Sequence, residues 1–226
     1  AGGQGAPLVP AFHAHMFSDA IRSRVVLNIG GMSNVTLLAP DEPVRGFDCG
    51  PGNVLMDGWI ARARALPYDS DGAWAESGTV DRELLDHLMS HPFFARQPPK
   101  SCGREQFNLE WLDAFLTGRE RAEDVQATLT ELSAVTVSQA LACAGFTADE
   151  IAVCGGGAFN AFLMHRLQAH TSAEVFSTAR WGVAPDSVEA LAFAWLARRT
   201  MRGEAGNVPA VTGARGPRIL GAVWPA

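Results

Sequence analysis

The chain has 226 residues, of which 47% are hydrophobic, and it carries a formal net charge of −6. This length is enough for one sizeable core, or for one domain with an insertion. The acidic balance disfavours a nucleic-acid partner, because domains that bind nucleic acid are usually basic. The absence of an uninterrupted apolar run of about 18 residues disfavours a membrane span.

The first quarter of the chain predicts three strands and one helix. Residues 24–29 and 35–38 are expected to form strands on either side of a glycine turn, and residues 44–48 a third strand. Asn53 is then expected to cap a helix that runs to about Leu66 with its apolar residues on one face.

Residues 67–120 interrupt this pattern, because short helical segments alternate with prolines and glycines. They predict an irregular, mostly helical insertion. The rest of the chain is expected to form a single structural unit, so residues 1–226 make one unit that contains the insertion. A long helix is expected from about Glu123 to Cys143. The later predicted elements are strands at 151–154 and 174–177 and helices at 158–170 and 186–199. This order fits an α/β domain with a mixed sheet.

Two glycine-rich turns each follow a short apolar run. The first run reads VVLNIGGMSN over residues 25–34, and the second reads IAVCGGGAFN over residues 151–160. Glycine allows close backbone approach, so the N–H groups of such turns can line up on an anion. The second turn is also expected to open a helix, whose N-terminus favours phosphate. One such turn is usually only a tight turn, but two suggest a nucleotide held between two loops.

Neither turn matches the better-known phosphate motifs. The chain contains no Gly-Lys-Ser/Thr sequence, so neither turn is a Walker A loop. Neither turn has the sequence GxGxxG, and this disfavours a Rossmann dinucleotide site.

Two carboxylates have both a structural and a functional interpretation. Asp48 ends the third predicted strand beside a Gly-Pro-Gly turn, where it either holds hydrated Mg²⁺ near a phosphate or hydrogen-bonds its own turn. Asp186 is a predicted N-cap, and Glu189 would complete a capping box. The alternative is that Glu189 binds a sugar hydroxyl at the mouth of a cleft.

The remaining polar features are less specific. His13 and His15 could present two imidazoles to a metal, but no third ligand is evident. The loop of residues 100–105 is either a substrate loop or a solvated connection. The four cysteines include no CxxC pair, so the simplest interpretation is that they are buried free thiols in a reducing compartment.

Taken together, these segments resemble the bacterial anhydro-N-acetylmuramic acid kinases. The resemblance covers nearly the whole chain in order, and its motifs are specific as a set. They are residues 2–13, 28–34, 46–53, 100–105, 124–129, 153–157 with Asn160, and 189–196.

The resemblance implies a fold and a reaction. The fold is the actin-like, hexokinase-type ATPase, in which two RNase H-like lobes surround a cleft. This chain would supply one such lobe, a mixed sheet flanked by helices. The reaction uses water to open the 1,6-anhydro ring of anhydro-N-acetylmuramic acid and transfers the ATP γ-phosphate to O6. It implies ATP and Mg²⁺ as cofactors, an anhydro-sugar substrate, a cytoplasmic role in peptidoglycan recycling and a homodimeric full-length protein, with no nucleic-acid or membrane partner.

The resemblance also assigns site residues. Gln4 and Glu189 fall on segments that line the sugar side of the cleft. The positions that match nucleotide and phosphate contacts are Asn28, Gly30, Gly31, Asn34, Asp48, Gly155, Gly156, Gly157 and Asn160. Family members carry a first phosphate loop and a catalytic Asp before the position that matches Ala1. We therefore expect this chain to be the C-terminal portion of the kinase and to lack turnover by itself.

Three alternatives stay open at this point. The chain could belong to a kinase for another sugar or an acyl substrate. It could be a nucleotide-binding interaction module, as in actin-like and chaperone ATPases. It could also be an incomplete gene product with no function of its own.

Overall fold

The computed structural model describes residues 1–3 and 7–224, and its centre is a five-stranded mixed sheet. The strands are β1 (Arg24–Ile29), β2 (Met32–Leu38), β3 (Arg45–Pro51), β4 (Glu150–Cys154) and β5 (Glu174–Ser177). They lie in the order β3-β2-β1-β4-β5. The first three form an antiparallel meander, whereas β4 and β5 run parallel to β1. This is the topology of an RNase H-like lobe, so the predicted fold class is confirmed.

Helices cover both faces of the sheet. They are α1 (Val9–Phe17), α2 (Asn53–Arg64), α3 (Ala73–Glu76), α4 (Arg82–Met89), α5 (Leu109–Asp113), α6 (Ala122–Cys143), α7 (Ala161–Ala169), α8 (Val188–Met201) and α9 (Pro209–Thr212). The larger core lies between the sheet and helices α2, α4, α6 and α7, and the smaller core lies under α1 and α8. In the described ranges, none of these helices has the length and apolar character that a membrane crossing requires.

The alternation of side chains along β1 separates the two cores. Val25, Leu27 and Ile29 belong to the larger core, whereas Val26 belongs to the smaller one. Successive residues of a strand point to opposite faces. Asn28 therefore faces the α1 and α8 side, two residues beyond Val26, and brings a polar group to the end of that face.

The start of α2 differs from the prediction. Asn53 is not an N-cap: Gly52 occupies that position, and no side chain caps the helix. Carbonyls of the first glycine turn take this role instead, because Gly30 O accepts from Asn53 N at 2.8 Å and Gly31 O accepts from Val54 N at 3.1 Å. Tertiary backbone contacts have replaced the local cap that the sequence pattern indicated.

The second glycine turn does not open a helix directly. A short 3₁₀ turn covers Gly156–Phe159, and α7 begins only at Ala161. Asn160 is the N-cap of α7, since its Oδ1 accepts from Leu163 N at 2.9 Å. The second turn therefore does not form the first turn of α7, and the phosphate site expected there stays a prediction.

The capping box predicted at α8 is also wrong. The helix follows Ser187, and no side chain caps it. Asp186 Oδ1 instead accepts from the neighbouring Ser187 hydroxyl at 3.2 Å. Glu189 is thus free of the structural role that competed with a functional one.

Helix α1 was not predicted, and it separates the two histidines. His13 is buried and His15 is exposed, as positions two apart on a helix point to different sides. Within residues 1–3 and 7–224 no group of three His, Cys, Asp or Glu could hold a metal ion.

Residues 67–120 contain α3, α4 and α5 and no strand. The division of the chain into a lobe and an insertion stays a prediction. All four cysteines are free; Cys49 and Cys154 are buried, whereas Cys102 and Cys143 are partly exposed.

Candidate active site

The two glycine turns meet at one end of the sheet, beside a cavity of about 720 Å³. They meet because β1 and β4 are parallel neighbours, and turns that follow parallel strands lie at the same edge. Six of the predicted site residues line this cavity: Asn28, Gly30, Asn34, Gly155, Gly156 and Glu189. We call it the large cavity.

A row of polar side chains crosses the sheet below the turns. Asn28 pairs with Asn34 across one ladder, and Asn34 pairs with Asp48 across the next. Cross-strand partners point to the same face, so all three side chains face the α1 and α8 side. The row brings an amide, a second amide and a carboxylate together from three strands.

Asp48 occupies the outer end of this row and does not line the large cavity. Its Oδ2 accepts from Cys102 N at 3.0 Å, so it bonds a distant segment rather than its own turn. Burial raises the pKa of Asp48, although this hydrogen bond opposes the rise. The side chain is thus a half-buried carboxylate with a greater affinity for a proton than an exposed Asp.

The three glycines of the second turn differ in what surrounds them. Gly155 has a φ of +79°, and a Cβ there would lie 2.6 Å from Ile29 O. A Cβ on Gly157 would lie 2.4 Å from Ile29 Cγ2. At Gly156 the nearest atom to a Cβ would be Asn53 Nδ2, at 3.3 Å. Two glycines therefore let the turn press against β1, whereas a Cβ on the middle one would meet only the Asn53 side chain, at 3.3 Å.

A second cavity, of about 420 Å³, lies on the other side of Gly156. We call it the small cavity. Its lining includes Asn160 and two aromatic side chains, Tyr68 at 61% exposed and Phe159 at 56% exposed. Aromatic faces beside polar groups suit a planar heterocycle. Gly156 lines both cavities, so the second turn separates them.

Asp57 also lines the small cavity, and sequence reasoning missed it. Burial raises its pKa to about 6, and the nearby Arg104 charge partly opposes this. Its position one turn after Asn53 on α2 was the only signal in the sequence. A position one turn along a helix does not show whether a carboxylate lines a cavity or faces solvent.

The loop of residues 100–105 contains one structural and one available cation. Lys100 is buried and donates to the carbonyls of Phe93 and Phe94, at 3.4 Å each, and burial lowers its pKa. Arg104 is exposed, and its guanidinium lies beside Gly31, where a Cβ would be 3.1 Å from Nη2. It belongs to none of the ion pairs found among the described residues. The loop therefore offers a free guanidinium at the first turn.

Glu189 lies on the first turn of α8, an exposed carboxylate in the wall of the large cavity. Cys154 also lines this cavity, and burial, reinforced by Glu189, raises the pKa of its thiol to about 12. The thiol therefore stays protonated at neutral pH and is not a nucleophile.

The other predicted site residues fall outside the large cavity. Asn160 lines only the small one, and Gly31 and Gly157 line neither. Gln4 lies outside the described residues. His13, weighed in the sequence only as a metal ligand, lines the large cavity.

Comparison with known proteins identifies the family. The family model for anhydro-N-acetylmuramic acid kinase matches residues 1–226. A relative of that name from Pseudomonas paraeruginosa is 58% identical over 229 residues, which cover 100% of this chain and 63% of the relative. One from Thiobacillus denitrificans is 56% identical over 232 residues, which cover 100% of this chain and 62% of the relative. The chain belongs to the anhydro-N-acetylmuramic acid kinase family, and it spans less than two thirds of the length of these curated relatives.

Among solved structures, the chain is similar to an activator of 2-hydroxyisocaproyl-CoA dehydratase from Clostridium difficile with bound ADPNP. The TM-score is 0.48 at 14% sequence identity, over 81% of this chain and 61% of that one.

Proposed function

We propose that this chain forms the nucleotide- and sugar-binding part of an anhydro-N-acetylmuramic acid kinase. One observation carries the proposal: residues of both glycine turns, Asn28 and Asn34 of the polar row, and Glu189 line one cavity. The proposal includes the context that the family implies, namely cytoplasmic peptidoglycan recycling by a homodimer.

The proposed reaction has two parts. Water adds to C1 of the anhydro-sugar, and the bond between C1 and O6 breaks, which frees O6. O6 then attacks the γ-phosphorus of ATP, and ADP leaves. The product is N-acetylmuramic acid 6-phosphate. The chain must therefore hold two substrates, accept a proton from water and assist the departure of O6.

The nucleotide fits the two sides of the second turn. The turn at Gly156 leaves its backbone accessible from both cavities, so phosphates can approach it closely. Arg104 supplies a free guanidinium beside the first turn, and guanidinium pairs well with phosphate. The small cavity, with Tyr68 and Phe159, would hold the base.

Asp48 is our candidate, within this chain, for the base that accepts the proton of water. It ends the polar row beside Asn34, and burial raises its pKa toward the working pH, as suits a general base. The base that the resemblance places before Ala1 stays a prediction. Asp48 and the Asp expected before Ala1 can each be tested by substitution with Asn.

Mg²⁺ usually keeps several waters and binds through one or two carboxylates together with substrate phosphates. In this proposal Asp48, at the end of the polar row, is the carboxylate that would hold the ion, through the oxygen that does not accept from Cys102 N. When bound, the ion would neutralise charge on the phosphates.

Glu189 is proposed to act on the sugar from α8, which forms part of the wall of the large cavity. Glu189 has no cap role and no ion pair among the described residues, whereas Asp186, the other carboxylate of this cavity, accepts from the Ser187 hydroxyl. A carboxyl group there can donate a proton to departing O6 or bind a sugar hydroxyl.

The test is a chimaera in which this chain replaces the matching 63% of the Pseudomonas paraeruginosa relative. We expect ADP release that depends on the anhydro-sugar, together with formation of the 6-phosphate. No sugar-dependent ADP release from a folded chimaera would contradict the proposal. The chain alone, measured in parallel, tests the expectation that it lacks turnover.

Three variants of the chimaera assign the roles. Gly156→Val should weaken ATP binding at least about tenfold, because the branched side chain enters the space that a phosphate needs. Ala61→Val, on the exposed face of α2, is the control. Asp48→Asn and Glu189→Gln should each lower kcat by about 10² or more, with ATP affinity retained. If Asp48→Asn instead raises the Mg²⁺ requirement with kcat restored at high Mg²⁺, Asp48 is a metal ligand.

A further inference from the structure

One nitrogen of the His13 imidazole is buried without a partner. The side chain is 1% exposed, and its Nδ1 lies 2.8 Å from Thr36 Oγ1. Its Nε2 is also buried, and it has no hydrogen-bond partner in the part of the chain that the structure describes. Buried polar atoms in folded proteins are normally hydrogen-bonded. His13 also lines the large cavity, so a group bound there can supply the partner that Nε2 lacks.

His13 lines the large cavity together with several aliphatic side chains. Beside it on α1 are Val9 and Pro10, and from α8 come Ala192 and Leu196, all of which line the same cavity. A ligand group that contacts Nε2 there also meets aliphatic side chains. The group that fits combines one hydrogen-bonding atom with a small apolar part.

The groups at His13 offer no positive charge to an anionic ligand group. Burial lowers the pKa of His13 to about 4, so the imidazole is neutral at pH 7. The ionisable side chains that face the same cavity are Asp186, Glu189 and the protonated thiol of Cys154, and the described lining contains no Arg or Lys. A ligand carboxylate would have no cation here and would meet like charges. A neutral ligand group is therefore expected.

The acetamido group of an N-acetylated sugar meets each of these conditions. It is neutral, its carbonyl accepts one hydrogen bond, and its methyl group suits aliphatic walls. We infer that His13 donates its Nε2–H to the acetamido carbonyl and thereby selects N-acetylated anhydro-sugars over unacetylated ones, an inference that rests on the proposed sugar-binding function. The inference requires the tautomer in which the Thr36 hydroxyl donates to Nδ1, because the proton then lies on Nε2.

The first experiment uses this chain with ¹⁵N-labelled histidine and follows the His13 nitrogens by NMR. We expect the Nε2–H tautomer in the free chain, a shift of Nε2 on adding 1,6-anhydro-N-acetylmuramic acid, and no such shift with the deacetylated amine. The Nδ1–H tautomer, or an unmoved Nε2 signal, would overturn the assignment. If calorimetry still detects sugar binding in that case, only this inference fails. If calorimetry detects none, the proposed function fails with it.

Two substitutions separate the nitrogens. His13→Asn keeps an amide near Nδ1 for Thr36 and loses Nε2, whereas His13→Gln keeps an N–H near Nε2. We expect His13→Asn to weaken binding of the N-acetylated sugar about tenfold relative to the deacetylated one, as for loss of one buried hydrogen bond. His13→Gln should lose less, and neither variant should change ATP affinity.

A general packing role predicts a different result. His13→Asn would then weaken both sugars equally or lower ATP affinity as well, and either outcome would overturn the inference. Thr36→Val serves as the matched control, because it removes the hydroxyl contact to Nδ1 without touching Nε2. It should shift the tautomer balance in the NMR spectrum while His13 remains in place.

Discussion

The two glycine turns have similar sequences but different structures. Carbonyls of the first turn are occupied, since Gly30 O and Gly31 O accept from the leading amides of α2. The second turn is held by one contact to a neighbouring loop, from Gly155 N to Pro185 O at 2.9 Å, and Gly156 is left facing two cavities. A glycine pair after a strand can therefore fasten a helix or expose backbone to a ligand, and the contacts of the surrounding chain decide which.

The largest expected effect lies within the second turn. Gly155→Ala should lower the free energy of unfolding by about 2–4 kcal/mol, because it adds left-handed strain to a 2.6 Å approach to Ile29 O. Gly156→Ala, the matched control, should lower it by less than about 1 kcal/mol, because its Cβ would meet only the Asn53 side chain, at 3.3 Å. Urea denaturation measures both. Equal destabilisation by the two variants would mean that Gly156 is as tightly packed as its neighbour.

The second prediction concerns the side chain beside the first turn. Arg104→Ala should weaken ATP binding about tenfold, because a hydrogen bond to a charged group contributes about 1.5–3 kcal/mol and this one is exposed. The loss should shrink as salt concentration rises. Arg82→Ala, which removes an exposed guanidinium from α4, is the control for calorimetry. If Arg104→Ala left ATP affinity unchanged, the first turn would have no role beyond accepting hydrogen bonds from the first amides of α2.

The third prediction tests the carboxylate of the small cavity by pH. The folded-state pKa of Asp57 is raised to about 6, so its ionisation opposes folding above that pH, and the penalty disappears as pH falls below 3.8. Asp57→Asn should therefore raise the free energy of unfolding at pH 7.5 by about 1 kcal/mol, after allowance for its partial exposure. At pH 3.5 the two proteins should be equally stable. Asp71→Asn, in the same cavity, is the control, and a gain that persists at pH 3.5 would contradict the assignment.

The smallest effect is expected where the start of α2 is bonded to the end of β1. Asn53 Nδ2 donates to Ile29 O at 3.3 Å and does not cap α2. Asn53→Ala should cost about 0.5–1 kcal/mol in thermal or urea unfolding, as for one ordinary hydrogen bond. The control is Asn108→Ala, because the Asn108 side chain does cap α5. A larger loss at Asn53 than at Asn108 would restore the capping role that the sequence suggested.

Sequence patterns predicted the strands well where burial is continuous. The bounds of β1 match the prediction and those of β4 differ by one residue, because apolar and β-branched runs report directly on a buried sheet. Helix ends were predicted less well. The expected caps at Asn53 and Asp186 failed because tertiary contacts took over or the helix began later.

The candidate site was likewise visible in the sequence only where it depends on local patterns. The glycine turns and the row of Asn28, Asn34 and Asp48 were visible as residue types, since motif and strand position are local properties. Which glycine faces a ligand depends on how closely Ile29 approaches, and the place of Arg104 depends on how a distant loop folds back. Neither is encoded in a short window of sequence.

The pairing of β1 with β4 also bears on the order of folding. Asn28 and Cys154, which lie side by side at the cavity, are 126 residues apart in the chain. The meander of β1, β2 and β3 can form from nearby segments, whereas contacts across such a separation carry a large loop-closure cost and form slowly. During synthesis, the meander can be in place while the second turn and α8 are still within the ribosome. The cavity is then completed only as the last part of the lobe docks, so capacity to bind ligand reports the final stage of folding.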